Sequence, residues 1–189
     1  MMIKHYATKI ILKVRKLGYK CFNTNKNISG KYTAIQPVVF RGKGSVVFGK
    51  HVKFGIVNSP MFYNTYAYIE ARQPDSKIVF GNNVSVNNNF SITSEKSIII
   101  KDDVLIGYNC HISDSNFHDL NPGNRLNTDL NPKEVSIGKN VFIGNNVTIL
   151  KGVVLGENLV VAAGSVVTKS FSKNLIIGGV PAKIISELP

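Results

Sequence analysis

Two cysteines, Cys21 and Cys110, are all that the 189 residues carry. They stand far apart in the chain, which excludes a disulfide-stapled scaffold. No apolar run is long and uncharged enough to cross a bilayer, and the N-terminus shows no cleavable leader pattern. The expected location is therefore the reducing cytoplasm. Acidic residues are scarce: 11 Asp and Glu face 23 Lys and Arg, for a formal net charge of +12. Such a surface attracts an acidic membrane or a phosphorylated cofactor, although general lysine enrichment gives the same balance. Nucleic acid is not expected as a partner, because aromatic-rich basic modules, zinc-finger spacing and recognition helices are all missing. Histidine is rare too. With only His5, His51, His111 and His118, a histidine-based metal site has few ligands to draw on, and no metal is expected.

What the chain has in abundance is a period of six. Ile137, Ile143, Ile149, Leu155, Val161 and Val167 share one register, and Val135, Val141, Val147, Val153, Leu159 and Ser165 keep step two places earlier. Gly138, Gly144 and Gly156 follow the aliphatic positions where the chain must turn. This period fits neither a helical face nor a simple alternating strand. It predicts short strands joined by tight corners and wound into a parallel β-helix, with the aliphatic residues stacked inside. Val46, Phe48, Val52 and Phe54 continue the pattern, as do Ile78 to Ile92 and Ile98 to Ile112. Cys110 falls on an inward position and reads as a small core residue. Insertions are expected at 56–77 and 113–134, with a slip near 94–97. The domain reading is a helix over 1–20 and one β-helix over 21–185.

The N-terminal helix is amphipathic and basic. Ile3, Tyr6, Ala7, Ile10, Ile11, Val14 and Leu17 recur at helical spacing, opposite Lys4, Lys9, Lys13, Lys16 and Lys20. Two roles fit: a cap over the open end of the solenoid, which is the favoured one, or peripheral attachment to an anionic membrane.

The polar insertion at 113–134 is long enough to be functional. It contains His118 between Asp114 and Asp119. A histidine titrates near neutral pH, so it can take a proton from a weak nucleophile and return it. A carboxylate or a backbone carbonyl on its second ring nitrogen would select the tautomer. A second insertion, residues 58–75 with Met61, Phe62, Tyr63, Tyr66 and Tyr68, could offer a stacking platform for a sugar ring, but is expected to pack over the coil. His111 should point away from the core, toward a subunit interface.

From about Asn87 onward the stretches VLIGYN, SNFHD, VSIGKNVFIGNNVTILKGVVLGENLVVAAGSVVTK and GGVPAKII resemble the hexapeptide-repeat acetyltransferases. The likeness is closest to the maltose, galactoside and polysaccharide O-acetyltransferase group. It implies an all-β, left-handed parallel β-helix, a homotrimer with sites between subunits, and acetyl-CoA as the donor. It also implies a carbohydrate or sugar-nucleotide acceptor, used in surface-polysaccharide or lipopolysaccharide assembly. On the matching motifs, His118 is the catalytic base. Asn145 and Ala163 line the coenzyme channel, and Thr168 and Lys169 approach its nucleotide end. Lys183 stands where many relatives have Arg, and offers a point charge in place of a planar fork. Asn89 and Glu95 are the preferred sugar-holding pair, with Asn87 competing, although asparagines at solenoid corners first suggest left-handed backbone. Rival readings are an amino-sugar or antibiotic N-acetyltransferase, a non-catalytic β-helix and a γ-carbonic-anhydrase-like metalloenzyme.

Overall fold

The structure, a computed structural model, describes residues 2–188, with side chains from residue 8 onward. The side chains of Ile3, Lys4, His5, Tyr6 and Ala7 thus lie outside the described residues. After helix α1 (Met2–Lys20) the chain winds through six coils of three strands. The first coil is β1 (Ile28–Ser29), β2 (Tyr32–Ala34) and β3 (Val38–Gly42), and the second is β4 (Ser45–Phe48), β5 (Val52–Phe54) and β6 (Ala67–Ala71). The third is β7 (Lys77–Phe80), β8 (Ser85–Val86) and β9 (Ser91–Ser94), and the fourth is β10 (Ser97–Ile100), β11 (Leu105–Ile106) and β12 (His111–Ser113). The fifth is β13 (Val135–Ile137), β14 (Phe142–Ile143) and β15 (Thr148–Ile149), and the sixth is β16 (Val154–Leu155), β17 (Val160–Val161) and β18 (Val166–Val167). Strand β19 (Leu175–Gly179) extends the second face, and β20 (Ala182–Glu187) returns antiparallel along it.

Each coil stacks in register on the next. Ile98 pairs with both Ile78 and Val135, and Ile112 with both Ile92 and Ile149. The predicted ladders are therefore the core, and Ile137, Ile149, Val161 and Val167 are fully buried. Cys110 is buried among them, and burial pushes its thiol up to about 11. Toward the N-terminal end the filling becomes aromatic, with Phe48 stacked on Phe80 at 5.2 Å between ring centres. The corners need left-handed backbone, and asparagine supplies it. Asn89, Asn109 and Asn146 all have φ near +57°. Their amides form a ladder running up the corner: Asn89 donates to Asn109 at 2.7 Å, and Asn109 to Asn146 at 2.8 Å.

Two expectations need correction. The insertion at 56–77 is two shorter ones, because residues 67–71 form β6, a full rung between β3 and β9. Ala67, Ile69 and Ala71 face inward there, but two of the three are too small to carry the hexad signature. The aromatic stretch before it is pinned by Asn88, whose amide donates to the Ile56, Ser59 and Pro60 carbonyls. Phe62 is buried. Helix α1 does lie against the first coil, as the cap reading expects, but it meets the solenoid through polar and aromatic contacts and not through its apolar stripe. Arg15 donates to the carbonyls of Phe62 (3.2 Å) and Thr65 (2.9 Å), Lys16 donates to that of Ala34, and Tyr19 packs on Tyr66. Ile10, Ile11, Val14 and Leu17 are left exposed.

Candidate functional site

The loop at 114–134 leaves the corner between β12 and β13, and three carboxylates build its root. Asp114 is completely buried. It accepts hydrogen bonds from Ser94 Oγ (2.6 Å) and from the N–H groups of Glu95 (2.7 Å), Lys96 (2.9 Å) and Ser97 (2.7 Å). It closes the corner where the hexad register slips, and does not flank the histidine as its sequence position suggests. Glu95, 6% exposed, accepts from Ser115 Oγ and, at 2.8 Å, from Thr128 Oγ1. Asp129 accepts from the Asn116 and Asn131 N–H groups and from Lys151 Nζ at 2.6 Å.

Arg72 ties this root to the third face of the prism. Its guanidinium contacts Glu70 at 3.1 Å and Glu95 at 3.8 Å, and lies 4.5 Å over the Phe117 ring. Tyr68 joins through its hydroxyl, which donates to Glu70 at 3.0 Å. Phe117 has φ +61°, a conformation costly for a bulky residue, and this turn sets the direction of the next side chain. That next residue is His118. It is exposed, and its Nδ1 lies 2.7 Å from the Arg125 carbonyl. A carbonyl can only accept, so Nδ1 carries the proton, and whenever the ring is neutral it is Nε2 that presents the lone pair.

Asp129 gives the loop a pH signature. Burial opposes its ionisation, but hydrogen bonds from the Asn116 N–H, Lys151 and the Asn131 N–H outweigh that and hold its carboxyl at about 2. The folded value lies below the ordinary carboxylate value of about 3.9. Its contribution is thus complete above about pH 4 and lost as pH falls toward 2. Amide hydrogen exchange over residues 116–131 should accelerate in that window, beyond its intrinsic pH dependence, and Asp129→Asn should abolish the step.

The other predicted residues lie on both borders of the third face. The corner between the second and third faces holds Asn87 and Asn89 (between β8 and β9), Asn145 (between β14 and β15) and Ala163 (between β17 and β18). This border is smooth. A Cβ added at Gly144 would sit 2.7 Å from the Ala163 nitrogen, whereas one at Gly164 would meet only open space. Asn145 Oδ1 accepts from the Tyr108 N–H, and Ala163 is exposed. The opposite border holds Glu95, the His118 loop, Thr168 and Lys169, the last two exposed. Lys183 is exposed on β20, past the last coil. One chain therefore brings Asn145 and Ala163 together and Glu95 with the His118 loop, but leaves the two groups on separate edges. Asn89 is occupied by the corner ladder and Glu95 by the loop. Of the sugar-holding candidates, only Asn87 has an amide nitrogen without a bond among the described residues; its Oδ1 accepts from the Asn88 N–H at 2.7 Å.

Sequence reasoning missed Arg72, Tyr68, Asp129 and Lys151. The first two fell in a segment read as an insertion, and the last two look like ordinary surface charges. His111 does point outward, as expected. Its Nδ1 is 2.8 Å from Ser91 Oγ, and burial pushes its pKa down. Together with Tyr66, Tyr68 and Asn109 it lines a groove of about 420 Å³ on the third face.

Known proteins share this fold. The sequence model for the hexapeptide repeat of succinyl-transferase matches residues 134–169. Galactoside O-acetyltransferase of Escherichia coli (strain K12) is 37% identical over 113 residues, 60% of this chain and 55% of that protein. WbbJ of the same strain, described as a lipopolysaccharide biosynthesis O-acetyl transferase, is 32% identical over 159 residues, 80% of this chain and 76% of that protein. Among solved structures, a galactoside acetyltransferase in complex with coenzyme A superposes with TM-score 0.54 at 28% identity, over 80% of this chain and 66% of that one. A hexapeptide transferase family protein from Anaplasma phagocytophilum shares the fold at TM-score 0.60 and 18% identity, over 86% of this chain and 79% of that one. The chain thus spans about half the length of the first of these relatives. The coils wind left-handed, as in these neighbours.

Proposed function

Because the chain belongs to the hexapeptide-repeat acetyltransferase family, we propose that it transfers an acetyl group from acetyl-CoA to a carbohydrate hydroxyl. The observation that carries this reading is the tautomer of His118, fixed by the Arg125 carbonyl. In the reaction Nε2 takes the proton of the acceptor hydroxyl as its oxygen attacks the thioester carbonyl carbon. The tetrahedral oxyanion is met by backbone N–H donors of the coil. The carbon–sulfur bond then breaks, and the imidazolium returns its proton to the departing thiolate. No acyl-enzyme is needed.

The donor would lie along the smooth corner of Asn145 and Ala163, where a pantetheine arm can approach closely. Thr168, Lys169 and Lys183 would face its nucleotide end, the lysines as point charges. Since Asn145 and Ala163 lie on one edge of the prism and the His118 loop, with Thr168 and Lys169, on another, the complete site is formed between copies in a homotrimer, one copy supplying the Ala163 corner and its neighbour the histidine loop. The acceptor would rest on the third face, where Asn87 has a donor to spare. The likeness to WbbJ supports a role in surface polysaccharide or lipopolysaccharide assembly.

The test is release of free coenzyme A thiol from acetyl-CoA across a panel of sugars, nucleotide-sugars and amino sugars. Thiol release with hydroxyl acceptors, and an O-acetylated product, is expected. Release with amines alone would replace this reading by N-acetylation, and release with no acceptor class would end it.

A further inference from the structure

The excess charge is not spread over the molecule. Twelve Lys and Arg and no Asp or Glu precede Glu70; the remaining residues carry 11 of each, so the whole +12 belongs to the first 69 residues. Those residues form α1 and the first two coils up to β6, one pole of the solenoid. At this pole α1 meets the solenoid through Arg15 and Tyr19, and presents Ile10, Ile11 and Val14, each more than half exposed, on another side. Lys9, Lys13 and Lys20 are exposed beside that stripe.

Between α1 and the first coil lies a cavity of about 570 Å³, lined by Lys13, Lys16, Lys20, Lys31, Tyr32 and Gln36. Gln36 is completely buried, yet neither its amide nitrogen nor its amide oxygen has a partner. A buried amide left unpaired is costly, so an acceptor oxygen reaching its nitrogen from the cavity would be favoured.

We propose that this pole docks on a bilayer containing anionic phospholipid. The stripe of Ile10, Ile11 and Val14 enters the boundary between headgroups and acyl chains. The lysines face the phosphates, and one lipid phosphate occupies the cavity, where the Gln36 amide donates to it. A second copy is the wrong occupant for this face, because it would set two strongly positive poles against each other. Nucleic acid would satisfy the charge but leave the aliphatic stripe in water. The docking does not depend on the acetyl-transfer reading; it would hold the acetylation site next to membrane-borne acceptors.

The test is co-sedimentation of the full chain with vesicles of phosphatidylglycerol and phosphatidylcholine, against vesicles of phosphatidylcholine alone. Binding should require the anionic lipid and fade between about 0.1 M and 1 M salt. Val14→Asp should weaken it at least about tenfold. Lys13→Glu with Lys20→Glu should do the same, since each lysine contributes roughly fivefold and reversal doubles the effect. Gln36→Leu should weaken it less. The Val14 and lysine variants should keep the wild-type oligomer in gel filtration and wild-type thiol release with a water-soluble sugar. No sedimentation, equal sedimentation with neutral vesicles, or a changed oligomer in Val14→Asp would each overturn the proposal. The last result would show that another copy covers the stripe.

Discussion

Replacing His118 with Ala should lower kcat by about 10²- to 10⁴-fold, the usual loss when a positioned general base is removed. The KM for acetyl-CoA should hardly change, because the donor is held by the Asn145 and Ala163 corner and by the lysines at its nucleotide end, not by the imidazole. The fold should also be unaffected. His118 is exposed, and its one bond goes to the Arg125 carbonyl, which water can satisfy when the ring is gone. This pattern of a collapsed kcat with an unchanged donor KM separates a base from a residue that merely shapes the loop. Wild-type turnover in the variant would remove His118 from the chemistry.

Asp114→Ala should be the most damaging substitution in the loop. Its carboxylate is completely buried and gathers one hydroxyl and three consecutive backbone N–H groups at 2.6–2.9 Å. Removing it leaves those donors facing each other in a tight corner. A loss of roughly 3–5 kcal/mol is expected, as when one partner of a buried charged hydrogen-bond set is deleted. Urea unfolding measures it directly. Asp114→Asn keeps the volume and one strong acceptor, and should lose less. A loss below about 1 kcal/mol for Asp114→Ala would mean that water replaces the carboxylate, and that the corner does not depend on it.

The ladder was legible because inward positions of a triangular coil recur every six residues and tolerate little but aliphatic side chains. Legibility failed where that chemistry changed. Strand β6 escaped because Ala67 and Ala71 leave Ile69 as its only sizeable inward residue, and the excursion before it breaks the count. The orientation of α1 escaped for a different reason. Amphipathic spacing shows that a helix has an apolar face, but not what that face meets; here Arg15 and Lys16, reaching backbone carbonyls, decide how the helix sits.

Of the proposed site residues, His118 stands out by its motif and Asn145 and Ala163 by theirs. The group that fixes the His118 tautomer could not be, since every residue has a carbonyl and only the loop path selects Arg125. Asp114 shows the converse. It is four residues from His118 in sequence, yet it turns inward to serve a corner formed by residues 94–97. Asn89 was weighed as a sugar contact and a corner residue, and its φ of +57° and its bond to Asn109 account for it as the latter.

The whole scheme needs the imidazole of one copy to work against the donor corner of another. Mixing two inactive variants tests this most directly: His118→Ala, which keeps the donor corner, and Ala163→Trp, which blocks the corner but keeps the imidazole. After co-refolding at equal amounts, about a quarter of the sites should combine the two intact halves, with activity recovering to about that fraction of wild type. If the mixed trimers form and stay inactive, each site is built within a single chain, and the arrangement proposed here is wrong.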